Sequence, residues 1–230
     1  FGSAYIFRDN GNKWVQEDEI HASDAEFLGY FGYAVAIDEN TAVVSATNSE
    51  GNGSFRWIGA SYVYRHNAGV WTEEQRIDAS DAAEQDYFGS SVDLEDDMIL
   101  IGADGKSAAY LFRHDGSTWN QDAKLTPVGI TASDEFGQSV ALFGNTAVVG
   151  AYQDDDAGTN AGSTFVYELG CDLETCLADL TGDGVINFFD VSAFLIAFNN
   201  EDPTADFTGD GSFNFFDVSA FLLAYAAGCP

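Results

Sequence analysis

Two stretches near the end of the chain set oxygen-bearing side chains at regular spacing. Residues 179–198 read DLTGDGVINFFDVSAFLIAF and residues 206–225 read DFTGDGSFNFFDVSAFLLAY, a repeat offset by 27 residues with 15 of 20 positions identical. Each opens on aspartate, carries threonine, aspartate and asparagine at the third, fifth and ninth positions, has glycine at the sixth and closes on aspartate at the twelfth. A hard cation such as calcium takes six to eight oxygens, and a twelve-residue loop supplies them from positions 1, 3, 5, 7, 9 and 12, with glycine at 6 for the sharp turn. The pattern predicts two calcium ions. The first would be held by Asp179, Thr181, Asp183, the Val185 carbonyl, Asn187 through a water and Asp190. The second would be held by Asp206, Thr208, Asp210, the Ser212 carbonyl, Asn214 and Asp217. Aspartate stands where such loops end in glutamate, so the shorter arm requires the end of the loop to sit closer to the ion.

The elements that must position these oxygens follow from the residues after each loop. Val191, Phe194, Leu195 and Phe198 fall at i, i+3, i+4 and i+7, and Val218, Phe221, Leu222 and Tyr225 repeat the stripe. This periodicity predicts two short helices packed on each other about a pseudo-two-fold axis. Phe189 and Phe216 are expected in the core between them. A module of this size has little core, so bound calcium is expected to contribute folding energy.

A different repeat runs through residues 1–170. Trp14, Trp71 and Trp119 are spaced by 57 and 48 residues, as are Arg8, Arg65 and Arg113, and Phe31, Phe88 and Phe136. Three markers moving in register mean tandem units. Each unit reads as four short strands: FGYAVAI, FGSSVDL or FGQSVAL; then TAVVSA, MILIGA or TAVVGA; then GASYVY, SAAYLF or GSTFVY; then a strand led by tryptophan. Gly, Asn and Asp punctuate the joins, as turns require. Four strands in about 50 residues is the size of a propeller blade. Two complete units, 31–87 and 88–135, lie between partial ones. Asp154-Asp155-Asp156 is an unspaced acidic run and reads as a solvated turn.

The Phe-Gly openings, the Gly-Ala after the second strand and the Gly-Ser/Ala-Tyr third strand resemble FG-GAP repeats over residues 1–170. The resemblance implies blades of the kind in integrin α-subunit heads and bacterial surface proteins, usually seven to a ring. This chain has too few for such a ring, and is expected to be the C-terminal piece of a longer propeller or an open arc with exposed edges. Residues 176–230, with loop-then-helix duplication and aspartate at position 12, resemble a type I dockerin, whose loops are EF-hand-like. That resemblance implies a non-catalytic module that docks onto a cohesin-like or surface scaffold protein. The variant is similar to C-termini of exported proteins of marine bacteria such as planctomycetes. It departs from the usual dockerin in Thr181 and Thr208, where Asn or Asp is common, and in Phe188-Phe189 and Phe215-Phe216, where small hydroxyl residues are common.

The expected architecture is therefore mainly β: an incomplete propeller of four-stranded antiparallel blades over 1–170, then a small all-α dockerin-like domain over 171–230 with two calcium loop–helix units. Eight Lys and Arg against 38 Asp and Glu give a net charge of -30, which repels phosphate backbones and excludes nucleic acid as a partner. No apolar run reaches the roughly 18 residues of a membrane span. All three cysteines, Cys171, Cys176 and Cys229, lie in the last quarter, the pattern of an exported chain with a structural disulfide. A Cys176–Cys229 bond would staple the ends of the tail, and Cys171–Cys176 is the alternative. No Gly-x-Ser-x-Gly motif appears, and His66 and His114 only mark a repeat position, so no enzyme is expected. Function is expected as an exported, non-catalytic calcium-binding protein whose blades meet a carbohydrate or protein ligand. The alternatives are an accessory module of a polysaccharide-degrading assembly and an integrin-head-like adhesion protein.

Overall fold

A computed structural model describes residues 2–24, 29–49, 56–169, 178–181 and 186–227. The chain forms two compact units, Phe1–Tyr167 and Glu168–Pro230. In the first, β1 (Ala4–Asp9) and β2 (Trp14–Ile20) make a two-stranded sheet. Strands β3 (Phe31–Asp38), β4 (Thr41–Ala46), β5 (Ala60–Asn67) and β6 (Val70–Ile77) make a four-stranded sheet in sequence order. Strands β7 (Phe88–Glu95), β8 (Met98–Ala103), β9 (Ala108–His114) and β10 (Trp119–Leu125) make a second. Strands β11 (Phe136–Phe143), β12 (Thr146–Ala151) and β13 (Ser163–Glu168) form a three-stranded sheet. The ladders are antiparallel throughout, in the order the repeats predict.

Why these segments become blades is visible in the burial pattern. Strand β4 is buried at every residue and β8 at all but its first, because each lies in the middle of its sheet with a neighbouring sheet against it. The Phe of each Phe-Gly pair is a core residue of its own blade. Phe88 packs edge-on against Tyr110 and Phe112, Phe31 against Tyr62 and Tyr64, and Phe136 against Phe165 and Tyr167. Trp71 and Trp119 are buried, whereas Trp14, on the two-stranded sheet, is mostly exposed.

Successive blades touch backbone to backbone. A Cβ on Gly59 would lie 2.0 Å from the Phe88 carbonyl oxygen, and one on Gly102 would lie 1.8 Å from the Gly137 carbonyl oxygen. Both contacts join a glycine of one blade to the Phe-Gly of the next. Two of the Ala-Ser-Asp segments, on the links between blades, add a polar tie to the blade that follows. Asp24, on the link from β2 to β3, accepts the Tyr62 hydroxyl of β5 at 2.7 Å and pairs with Arg76 of β6. Asp81, on the link from β6 to β7, accepts Tyr110 of β9 and Lys124 of β10, each at 2.7 Å. In the third copy Phe165 replaces the tyrosine, and Asp134 instead accepts the N–H of Thr131, capping its own short turn. The run at 154–156 is not fully solvated: Asp154 is buried and accepts the N–H of Asp156, because the turn needs an internal acceptor.

Two outcomes follow for the first unit, which holds every tryptophan of the chain. Gly102→Ala forces two blades apart and should lower stability by about 2 kcal/mol or more. Gly150→Ala, at the equivalent position of β12, meets only the rotatable Ser139 side chain and should stay within about 1 kcal/mol. Urea unfolding followed by tryptophan fluorescence separates them. Burial works to raise the Asp81 carboxyl, but the hydrogen bonds from Lys124 and Tyr110 and the charge of Lys106 outweigh it and hold it at about 2. Its contribution is present above the unfolded value of about 3.9 and is lost as pH falls toward 2. The stability gap between the natural chain and Asp81→Asn should therefore be open at pH 6 and closed near pH 2, measured by the same unfolding curves.

Candidate functional site

The second unit is built around two helices, α1 (Phe188–Asn199) and α2 (Phe215–Ala227). Phe194 of α1 and Phe221 of α2 stack face to face, with ring centroids 4.1 Å apart and planes 2° from parallel. Phe207 meets both edge-on at 5.6 and 5.3 Å. Ala178 and Ala205 are buried in the same cluster, and Val191, Phe198, Phe213, Val218 and Tyr225 pack around it.

Each helix is started by the end of the loop before it. The Asn187 side chain accepts the N–H of Phe189 at 2.7 Å while Asp190 accepts the N–H of Asn187 at 2.8 Å, a reciprocal cap. Asn214 and Asp217 repeat it at 2.8 Å for both bonds. The two asparagines expected among the calcium ligands, Asn187 through a water and Asn214, thus also serve as helix caps. The other oxygen of Asp190 accepts from Thr181, 3.1 Å from its N–H nitrogen and 2.8 Å from its hydroxyl. Asp217 receives the same pair from Thr208 at 3.1 and 2.8 Å. Both aspartates are fully buried. The Asn214 N–H holds the Asp217 carboxyl below the usual range; for Asp190 burial pushes upward, but the N–H groups of Asn187 and Thr181 prevail and it too lies low.

In the second loop Asp206 accepts the N–H groups of Asp210 at 3.2 Å and Gly211 at 2.8 Å, and Asp210 accepts that of Ser212 at 2.8 Å. Gly211, at position 6, has φ +76°, the left-handed turn the loop requires. Asp206, Asp210, Asn214 and the Ser212 carbonyl therefore share one tight turn, with the Ser212 oxygen also accepting from Asn214. This all-oxygen set is chemically suited to a hard cation. Among the described residues no three carboxylate, imidazole or thiol side chains converge closely enough to hold a metal by themselves. Hydroxyl, amide and carbonyl oxygens would have to complete the shell. In the first loop Asp179, Thr181, Asn187 and Asp190 are described; Asp183 and Val185 lie outside the described residues, as do Cys171, Cys176 and Cys229.

The inward turn of Asp190 and Asp217 decides what faces out. At about 100° per residue, the two positions before a buried aspartate are carried to the opposite side of the helix. Phe188, Phe189, Leu195 and Ile196, and their counterparts Phe215, Phe216, Leu222 and Leu223, are each more than half exposed. Phe189 and Phe216 are thus surface residues where core was expected, and Leu195 and Leu222 leave the predicted stripe. The sequence signal was available: NFFDVSAFL carries more large apolar residues than one buried stripe accommodates.

A family model for the FG-GAP repeat matches residues 14–64, 71–112 and 119–167, more than half of the chain. The chain belongs to the FG-GAP repeat family. Each matched segment runs from the tryptophan strand that ends one sheet through the third strand of the next. No curated protein matches the chain. Among the described residues no helix is long and apolar enough to cross a membrane.

Removing exposed and buried phenylalanines should separate surface from core. Phe188→Ser with Phe215→Ser should leave stability within about 0.5 kcal/mol per site, whereas Phe194→Ala should cost about 3 kcal/mol or more. Helical circular dichroism during denaturation reads this unit alone, since the first is built of strands.

Proposed function

We propose that this FG-GAP chain is a non-catalytic, exported interaction protein. Its blades present a surface to a carbohydrate or protein ligand, and its tail binds two calcium ions and docks onto a cohesin-like or surface scaffold protein. The observation that carries the docking role is the pair of equivalent helix faces, four large apolar side chains on each, left exposed by a module that has already filled its core. Contiguous exposed apolar surface on a charged protein is the mark of an interaction site, and phenylalanine is a common anchor in such interfaces. Duplication supports the same role, since the two faces present the same residues in the same order.

Calcium is supported by the oxygen-only loops and by the field around them. Residues 171–230 contain no Lys, Arg or His, so their carboxylates attract cations without competition from the module's own side chains. A loop of this kind would contribute binding and geometry. Calorimetric titration of the full chain should show two calcium sites with dissociation constants in the range of about 10⁻⁷–10⁻⁴ M. Asp179→Ala and Asp206→Ala should each remove one. Absence of heat at millimolar calcium would refute the calcium reading.

A further inference from the structure

The third position of each loop carries a threonine, and its hydroxyl lies between two carboxylates. Thr181 Oγ is 2.8 Å from Asp190 Oδ1 and 3.2 Å from Asp179 Oδ1; Thr208 Oγ is 2.8 Å from Asp217 Oδ1 and 3.4 Å from Asp206 Oδ1. Two carboxylates brought this close repel one another, and a loop built of them alone needs a cation to stay closed. A hydroxyl between them relieves that need, because its proton is given to the buried aspartate at the shorter distance. An aspartate at this position would bring a third negative charge and no proton. The same threonine adds its backbone N–H, so each buried carboxylate receives three donors from its own loop: threonine N–H, threonine O–H and asparagine N–H. Hydrogen bonds to an ionised, buried acceptor are the strong ones. The arrangement occurs twice with the same distances to the buried aspartate, and beside it stands the stacked Phe194–Phe221 core, against which loop residues Leu180, Ile186, Phe207 and Phe213 also pack.

We propose that Thr181 and Thr208 are positioning residues that keep each loop–helix unit assembled without a cation, so that calcium adjusts a prefolded module. This rests on the calcium reading of the tail only for its second half. A calcium-folded module would switch between unfolded and folded with the ion. A threonine-held module keeps its docking faces formed at any calcium level, and the ion changes only loop stiffness and affinity.

The test uses the full chain, with hydrogen exchange read on peptides from residues 186–227 in chelator and in saturating calcium, alongside calcium calorimetry. The natural protein should keep both helices protected in chelator. The Thr181→Val, Thr208→Val double variant retains shape and N–H but loses both hydroxyls. Its helices should exchange about tenfold faster or more in chelator and recover in calcium, while the Thr→Ser pair should behave as the natural chain. Loss of helix protection in the natural protein on chelation would overturn the proposal. So would valine helices as protected in chelator as the natural ones, or, with calcium shown to bind, equally weakened in both conditions. Calorimetry without heat, together with protected natural helices, an unprotected valine variant and rescue by serine, would remove the calcium reading and leave the threonine role standing.

Discussion

Backbone contact between neighbouring blades is the constraint from which the first unit is built. Where the Phe88 and Gly137 carbonyls come within about 2 Å of the place a Cβ would take on Gly59 and Gly102, the sheets are too close for any side chain. That closeness buries β4 and β8 on both sides and makes their unbroken apolar sequences TAVVSA and MILIGA appropriate. It also fixes the Phe of each Phe-Gly pair inside its own blade, since its backbone is already committed to the previous one. The Asp24 and Asp81 ties add direction to this packing: a carboxylate on the link finds a tyrosine and a basic residue on the third and fourth strands of the following blade.

Electrostatics explain how a chain with 38 acidic and 8 basic residues holds together. The cations are spent at repeated places. Arg8, Arg65 and Arg113 each pair with an acid across the last two strands of a blade, at 2.7, 3.1 and 2.8 Å. Arg76, Lys106 and Lys124 meet the acidic links. Exposed pairs of this kind contribute modestly one by one, and their value here is registration more than strength. The tail has no cation to use, and it answers the same problem with N–H and O–H donors.

In the tail, a polar requirement organises an apolar surface. Asp190 and Asp217 must turn inward to meet loop donors, and the helix then carries Phe188, Phe189, Phe215 and Phe216 outward. The core is completed from elsewhere, by Phe194, Phe221 and Phe207. Loop chemistry and docking surface are thus two results of one rotation of the helix. A change in the loop that released the aspartate would alter which face is presented.

The sequence by itself determined the tandem blades, their strand order and the two loop–helix repeats, because those properties are periodic and local: Phe-Gly, the apolar runs and the tryptophan strand recur in register, and glycine at the sixth loop position dictates a turn. The family match follows the same periodicity. Tertiary structure decided what depends on a second surface. Periodicity placed Leu195 and Leu222 on the buried stripe and core was expected of Phe189 and Phe216, but one helix cannot reveal which of its two apolar sides faces a partner. That choice was made by the stacked phenylalanines and the inward aspartates. Likewise, Ala-Ser-Asp is legible as a repeat, yet its role as a tie between blades exists only once Tyr62, Tyr110 and Lys124 have been brought to it from strands 29 to 43 residues away.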